Sequence, residues 1–330
     1  MANLRAGLVG LGMMGRHHGR VLSTLPGVDL VAVCDAQGDP HHVAKGRPLV
    51  ASVEELLAIG IDYAMVAVPT AYHEEIGTKL AAAGVHAMVE KPLAQDTAAA
   101  ERLAAAFETA GLVGAVGHIE RFNPALQQAR KRLADGELGQ VYQVVTRRQS
   151  PFPARISDVG VVMDLATHDI DLTAWVTQQP FTQVAAHTAY KSGRKYEDLV
   201  AVTGRLADGT VTSHLVNWLT PFKERVTVIT GERGAFVVDT LLADLTFHAN
   251  GSTETPWEGI AQFRGVTEGD SIRYGFTKKE PLLLEHEAFR DAVLGEPSDI
   301  VTMAQGLATV RTAQAVLESA RSNRTVDIAA

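Results

Sequence analysis

Up to residue 122 the chain alternates short apolar runs with segments of helical spacing, the pattern of a parallel sheet with crossover helices. The runs at 4–10, 28–35, 63–68, 85–90 and 112–117 read as strands. Residues 14–25 read as a helix, and Ser52-Val53-Glu54-Glu55 reads as a capping box opening a second, short one. A third helix is capped at Thr70 and ended by Gly84. A fourth, rich in Ala, is capped at Asp96 or Thr97 and ended by Gly111. Residues 37–48 carry Gly, Pro and paired His, so a helix there is short or missing.

The pattern then changes. Asn123-Pro124 is an N-cap followed by Pro at the first helical position, and the helix it opens runs to Gly136. Strands follow at 141–149, 182–190, 199–206, 210–218, 225–230, 235–239 and 242–249, with a hairpin turn at Ala207-Asp208-Gly209. A helix at 161–176 interrupts them, and helices near 282–294 and 303–322 follow. Strands in series joined by hairpins imply a large, open, mostly antiparallel sheet with helices on one face. The expected fold is α/β plus α+β: a Rossmann dinucleotide-binding domain over 1–122 and a substrate-binding and oligomerisation domain over 123–330. The sheet's second face is either solvated or covered by another subunit. Apolar neighbours such as Leu215, Val216, Trp218 and Leu219 favour subunit contact, in a homotetramer ahead of a homodimer.

Composition narrows the class. The 330 residues are 46% hydrophobic and 21% charged, as in ordinary globular proteins of two domains. A net charge of −8 speaks against nucleic acid as a partner. Cys34 is the only cysteine, forms no internal disulfide and fits a reducing cytosol. No leader pattern and no apolar run of membrane-spanning length stands out, so a cytoplasmic protein acting on a small molecule, with no membrane partner, is expected.

The strongest chemical signal is Gly10-Leu11-Gly12-Met13-Met14-Gly15, placed between the first strand and the first helix. Such glycines let the backbone turn and approach a pyrophosphate seated at the helix amino end. Asp35 ends the second strand about 20 residues on, where a carboxylate accepts hydrogen bonds from the adenosine ribose. That carboxylate repels a 2′-phosphate, and Ala36 and Gln37 are not basic, so NAD is favoured. Lys45 and Arg47 in the following loop leave NADP open.

Three further stretches carry chemistry. Val68-Pro69-Thr70-Ala71-Tyr72-His73 and Glu90-Lys91-Pro92 both follow strands, on the edge where ligands of open α/β sheets bind. Pro92 restricts Lys91, so its ammonium leaves the strand end in a defined direction. The bland alternative is a solvated lysine beside a salt-bridge glutamate. In the third stretch, Asp164 and His168 are four apart on a helix and share a face, with Asp171 three further on. A helix-bracing pair and an oriented general acid/base stand level on spacing alone. A metal set of Asp164, His168 and His73 has no recognisable spacing. Arg121, Arg148 and Arg155 are candidates for a substrate diphosphate, because guanidinium forks fit phosphate oxygens.

Gly10–Gly15, Asp35, Val68-Pro69-Thr70, Glu90-Lys91-Pro92 and the Asp164-x-x-x-His168 helix together resemble the glucose–fructose oxidoreductase/inositol dehydrogenase family, Gfo/Idh/MocA, along essentially the whole chain. The resemblance implies an NAD(P)-dependent dehydrogenase of a sugar or cyclitol. It implies that Lys91 and His168 are the catalytic pair, with Asp164 orienting His168 or contacting substrate. The cofactor residues would be Gly10 to Gly15, Asp35, Val68, Pro69, Thr70, His73, Glu90 and Lys91. The stretches Gly117-His118-Ile119-Glu120-Arg121-Phe122-Asn123-Pro124 and Pro151-Phe152-Pro153-Ala154-Arg155-Ile156 look like the branch that oxidises the 3-hydroxyl of UDP-N-acetylglucosamine. The expected substrate contacts are Arg121, Asn123, Arg148, Arg155, Asp164 and His168. Inositol and sugar-phosphate dehydrogenases share most of these motifs. A sugar–sugar oxidoreductase with retained cofactor and a non-enzymatic NAD-binding sensor are the competing classes.

Overall fold

A computed structural model describes residues 3–153, 159–251 and 269–328. The chain divides into two compact units: Met1–Ile119 with Lys279–Gln314, and Glu120–Lys278 with Ala315–Ala330. The expected second domain of 123–330 is therefore interrupted. The reason is hydrophobic: a late helix buries Phe289 in the first unit's core, edge-to-face with Tyr63 at a ring separation of 5.4 Å.

The first unit holds β1 (Leu4–Val9), α1 (Met13–Leu22), β2 (Val28–Cys34), β3 (Leu49–Val50), α2 (Val53–Ile59), β4 (Tyr63–Val66), α3 (His73–Ala82), β5 (His86–Glu90), α4 (Thr97–Ala110) and β6 (Gly114–Gly117). The six strands lie in the order β3-β2-β1-β4-β5-β6, and every neighbouring pair is parallel. This is the doubly wound arrangement, with the strand order reversing between β1 and β4. All four residues of β4 are buried, as a strand with both faces covered requires. Local signals act as read at Ser52, whose side chain accepts the Glu55 amide, and at Asp96, which accepts the Ala99 amide at 2.8 Å. Thr70 differs: it lies inside a single 3₁₀ turn, Thr70–Tyr72, with Pro69 at the cap position and no side-chain cap bond. Residues 37–48 form turns, and the two-residue β3 follows them.

The second unit contains α5 (Pro124–Ala134), β7 (Val141–Pro151), a π-helical turn (Val162–Ala166), α6 (Thr167–Thr177), β8 (Phe181–Ala189), β9 (Leu199–Leu206), β10 (Val211–Asn217), β11 (Leu219–Gly231), β12 (Gly234–Asp239), β13 (Asp244–Ala249), β14 (Ser271–Arg273) and β15 (Val326–Asp327). Between β14 and β15 in sequence run α7 (Pro281–Val293), which carries Phe289, and α8 (Met303–Ser322). The nine strands are ordered β14-β13-β12-β11-β7-β10-β9-β8-β15. All pairs are antiparallel except β7 with β10. Ala125, Leu126 and Ala129 of α5 and Leu172 and Trp175 of α6 pack on Val144, Ile229, Phe236 and Val238 of the sheet. The alternate positions face away, and there Val237, Val228 and Val145 form one half-buried cross-strand row. Of the apolar residues expected on that open face, Val216 and Trp218 are buried inside the unit. Leu215 is half-buried and Leu219 exposed.

Buried ion pairs lock α6 to β7. Arg148 of β7 donates from Nη1 to Glu120 at 2.8 Å and from Nε to Asp169 of α6 at 2.9 Å. Arg121 forms a two-pronged pair with Asp171, at 2.8 and 2.6 Å. All five side chains are under 9% exposed. Burial raises the Asp169 carboxyl despite the Arg148 charge. Arg148 and Arg225 together hold Glu120 below the usual range against its own burial. Arg148→Ala strips the principal cation from two buried carboxylates and should cost about 3–5 kcal/mol, read as a lower urea midpoint at neutral pH. A change below about 1 kcal/mol, the worth of a surface pair, would show that this network is not what holds α6.

Candidate active site

The glycine loop has the shape a pyrophosphate needs. Gly10 has φ +90°, and a Cβ there would lie 2.5 Å from the Ala67 carbonyl oxygen. A Cβ on Gly15 would lie 1.9 Å from the Gly10 carbonyl oxygen. At Gly12 a Cβ would meet nothing within 4 Å, so this glycine leaves open space in front of the α1 amino end. That end has no side-chain cap bond and no acidic residue in its first turn, which suits an anion. Leu11 is buried beneath the loop, while Met13 is exposed. Asp35 accepts the Leu11 amide and the Gln37 amide, each at 2.8 Å. Each carboxylate oxygen keeps a further lone pair for a ribose hydroxyl. Arg47 donates to the backbone carbonyls of Leu30 and Ala44, which removes it from the ribose; Lys45 is exposed. These residues fit a dinucleotide without 2′-phosphate.

The strands beside the reversal point end on the same edge. Val68, Pro69 and Thr70 follow β4, and Glu90-Lys91 ends β5, with a cis peptide between Lys91 and Pro92. His73 does not face a ligand. It is buried, with Nδ1 2.9 Å from the Pro92 carbonyl oxygen and Nε2 3.0 Å from that of Val68. Burial lowers its pKa, and the neutral ring donates to one of these carbonyls. His73 therefore staples the two loops to each other, which also withdraws it from any metal set. Glu90 likewise turns inward, to His18 of α1 and the Lys91 amide. Sequence reasoning missed His18 and its buried neighbour His286 of α7. The one available signal was a histidine on the apolar face of α1.

In the second unit, Asp164 and His168 are both buried, 5% and 9% exposed. The expected continuous α-helix is instead a π-helical turn carrying Asp164, followed by α6 carrying His168. Such turns insert a residue into the helical ladder and recur at functional sites. Glu197 holds this one in place: its Oε1 accepts the Val162 amide at 3.0 Å and its backbone carbonyl accepts the Val161 amide at 3.1 Å. Burial pushes the Glu197 carboxyl up. Glu197 was also missed, because its partner lies 35 residues away. Asn123 accepts the Ala125 amide as an N-cap and donates to the Thr240 carbonyl at 2.9 Å, so its amide braces α5 rather than facing substrate. Arg121 and Arg148 are corrected in the same way, since carboxylates of the unit occupy their forks. Arg155 lies outside the described residues. Among the described residues, no group of three His, Cys, Asp or Glu side chains is placed to hold a metal, and no helix is long and apolar enough to cross a membrane.

Comparison with known proteins places these features in one family. Residues 4–118 match the GFO/IDH/MocA oxidoreductase family, NAD-binding Rossmann fold, and residues 126–237 match the GFO/IDH/MocA C-terminal domain. The chain is 35% identical over 181 residues to the UDP-N-acetylglucosamine 3-dehydrogenase of Acidithiobacillus ferrooxidans, covering 54% of this chain and 55% of that protein. It is 30% identical over 194 residues to the scyllo-inositol 2-dehydrogenase (NAD(+)) of Bacillus subtilis, covering 56% and 57%. The matched stretches thus span little more than half the length of these relatives. Solved structures align more fully. The Acidithiobacillus ferrooxidans enzyme superposes with a TM-score of 0.85 at 26% identity, over 98% of this chain and 99% of that one. GenD2 from gentamicin A biosynthesis, in complex with NAD, superposes with a TM-score of 0.83 at 27% identity, over 100% and 97%. Matched over both its Rossmann segment and its C-terminal sheet, this chain belongs to the GFO/IDH/MocA oxidoreductase family, with an NAD-binding Rossmann domain.

Proposed function

We propose that this protein is an NAD-dependent dehydrogenase that oxidises a secondary hydroxyl of a sugar or cyclitol, with C3 of a UDP-N-acetylhexosamine as the first substrate to test. The observation that carries the reading is the shared edge: Lys91 leaves β5 on the same side of the parallel sheet as the Gly10–Gly15 loop leaves β1. The likeness to UDP-N-acetylglucosamine 3-dehydrogenase supports the nucleotide sugar, and the likeness to scyllo-inositol 2-dehydrogenase supports a cyclitol as the alternative.

NAD, when bound, supplies the hydride acceptor. The Gly12 opening and the α1 amide groups receive its pyrophosphate, and Asp35 holds its adenosine ribose. Lys91 presents a cation to the substrate oxygen and stabilises negative charge as the hydroxyl proton leaves. His168 accepts that proton, and Asp164 orients His168 or a substrate hydroxyl. With Arg121 and Arg148 committed to internal carboxylates, Arg155 is the remaining sequence candidate for a diphosphate.

Four outcomes test this. A panel of UDP-sugars, sugar phosphates and inositols, followed at the nicotinamide absorbance, should give turnover with NAD and select one class. Lys91→Ala and His168→Ala should each lower kcat by roughly a hundredfold or more, with NAD affinity far less changed; a His168→Ala protein that melts earlier yet turns over normally would reduce the pair to a helix brace. Asp35→Ser with Ala36→Arg should move the preference toward NADP, and tighter NADP binding by the unaltered protein would overturn the role given to Asp35. The Val237–Val228–Val145 face is where copies associate in this reading, so light scattering should find a dimer or tetramer, and a monomer at micromolar concentration would sink that part.

A further inference from the structure

Glu90 is a point at which three elements of the first unit meet. Its Oε1 lies 2.8 Å from Nε2 of His18 on α1, and its Oε2 accepts the Lys91 amide at 3.0 Å. His18 Nδ1 lies 2.8 Å from Nε2 of His286 on α7. His18 is 0%, His286 1% and Glu90 8% exposed, so the chain is largely shielded from solvent.

The hydrogens of the chain follow from what each group can accept. Burial alone would raise Glu90, but the His18 hydrogen bond, with the Lys91 charge and the Lys91 amide, holds it below the usual carboxylate range. An ionised carboxylate only accepts, so His18 Nε2 carries a hydrogen. Burial pushes His286 well down, so His286 is neutral and has one N–H. His286 Nδ1 has no hydrogen-bond partner among the described residues. With the single hydrogen on His286 Nε2, a bond to His18 Nδ1 forms and a bare lone pair remains at Nδ1. With it on Nδ1, a buried donor is orphaned, which is the costlier arrangement. Both N–H bonds therefore point along the chain toward Glu90.

We propose that His18 and His286 are positioning residues for Lys91: two aligned imidazole N–H groups fix the Glu90 carboxylate, which in turn anchors the Lys91 backbone and sets a negative charge near its ammonium. This rests on the reading of Lys91 as the cation that stabilises the substrate oxygen. It ties the helix that begins at the pyrophosphate loop to the strand end that carries Lys91, through one carboxylate.

Two measurements test it. In ¹⁵N-histidine-labelled protein without ligand, assigned with single His18 and His286 variants, both rings should be Nε2–H tautomers with slowly exchanging hydrogens; an Nδ1–H tautomer on either ring overturns the proton order. In kinetics with a competent substrate, His18→Leu should lower kcat about tenfold, the worth of one hydrogen bond to a charged group, while KM for NAD changes less. His18→Gln, which keeps an amide donor near the Nε2 position, should restore most of the rate. In a Lys91→Ala background, His18→Leu should cost nothing further. An unchanged kcat in His18→Leu, or equal losses in both backgrounds, overturns the relay. If Lys91→Ala itself turns over normally, the role of Lys91 fails instead, and the tautomer result still decides the proton order. Should His18→Leu not fold, His286→Phe removes only the far donor and is read by the same kinetic outcomes.

Discussion

Parallel pairing is the constraint on which the first unit's chemistry depends. With β1, β4 and β5 running the same way, the segments that leave them emerge on one edge, and the order reversal between β1 and β4 opens a crevice there. The glycine loop, the Val68-Pro69-Thr70 turn and Lys91 reach this edge without any long-range adjustment. What must still be arranged is how these loops are held against one another. Here the chain uses buried imidazoles: His73 joins the β4 and β5 loops through their carbonyls, and His18 joins α1 to Glu90. A histidine suits both places because its two ring nitrogens bridge groups about one ring-width apart and it can remain neutral when buried.

The second unit solves a different problem with charge. Its π-helical turn and α6 carry Asp164, His168, Asp169 and Asp171 within eight residues, four titratable groups on a largely buried segment. Asp169 and Asp171 are each matched to an arginine from outside the segment. Asp164 and His168 of the same segment are those the family resemblance assigns to chemistry. Ion pairs of this kind give less net stability than an apolar core would, since desolvation offsets much of the attraction. Their geometry is nevertheless directional, and two-pronged arginine pairs set the rotation of a helix more narrowly than packing alone.

Those pairings explain why several readings of side-chain role changed. Arg121, Arg148 and Asn123 were reasonable substrate groups by residue type, since a guanidinium fork suits a phosphate as well as a carboxylate. What decided between the two was the presence of Glu120, Asp169 and Asp171 across the unit, and for Asn123 the Thr240 carbonyl. The positions of Lys91, Gly12 and Asp35 depend on local structure instead: a strand end, a tight turn and a carboxylate in register with it.

The amino-acid sequence by itself determined the elements whose physics is short-range. These are the glycine loop between strand and helix, the capped helices at Ser52 and Asp96, the hairpin at Asp208-Gly209, and the alternation that makes the first sheet parallel and the second mostly antiparallel. Only the tertiary structure decided matters that depend on partners distant in the chain. Phe289 returns to the first core from beyond the second sheet. β7 pairs in parallel with β10. Glu197 holds a π-helical turn where an unbroken helix was expected, and His18, Glu90 and His286 form one buried chain. The physical reason is the same in each case: a turn or cap is satisfied by neighbours within a few residues, whereas a buried polar or aromatic side chain takes whichever complementary group the fold brings to it.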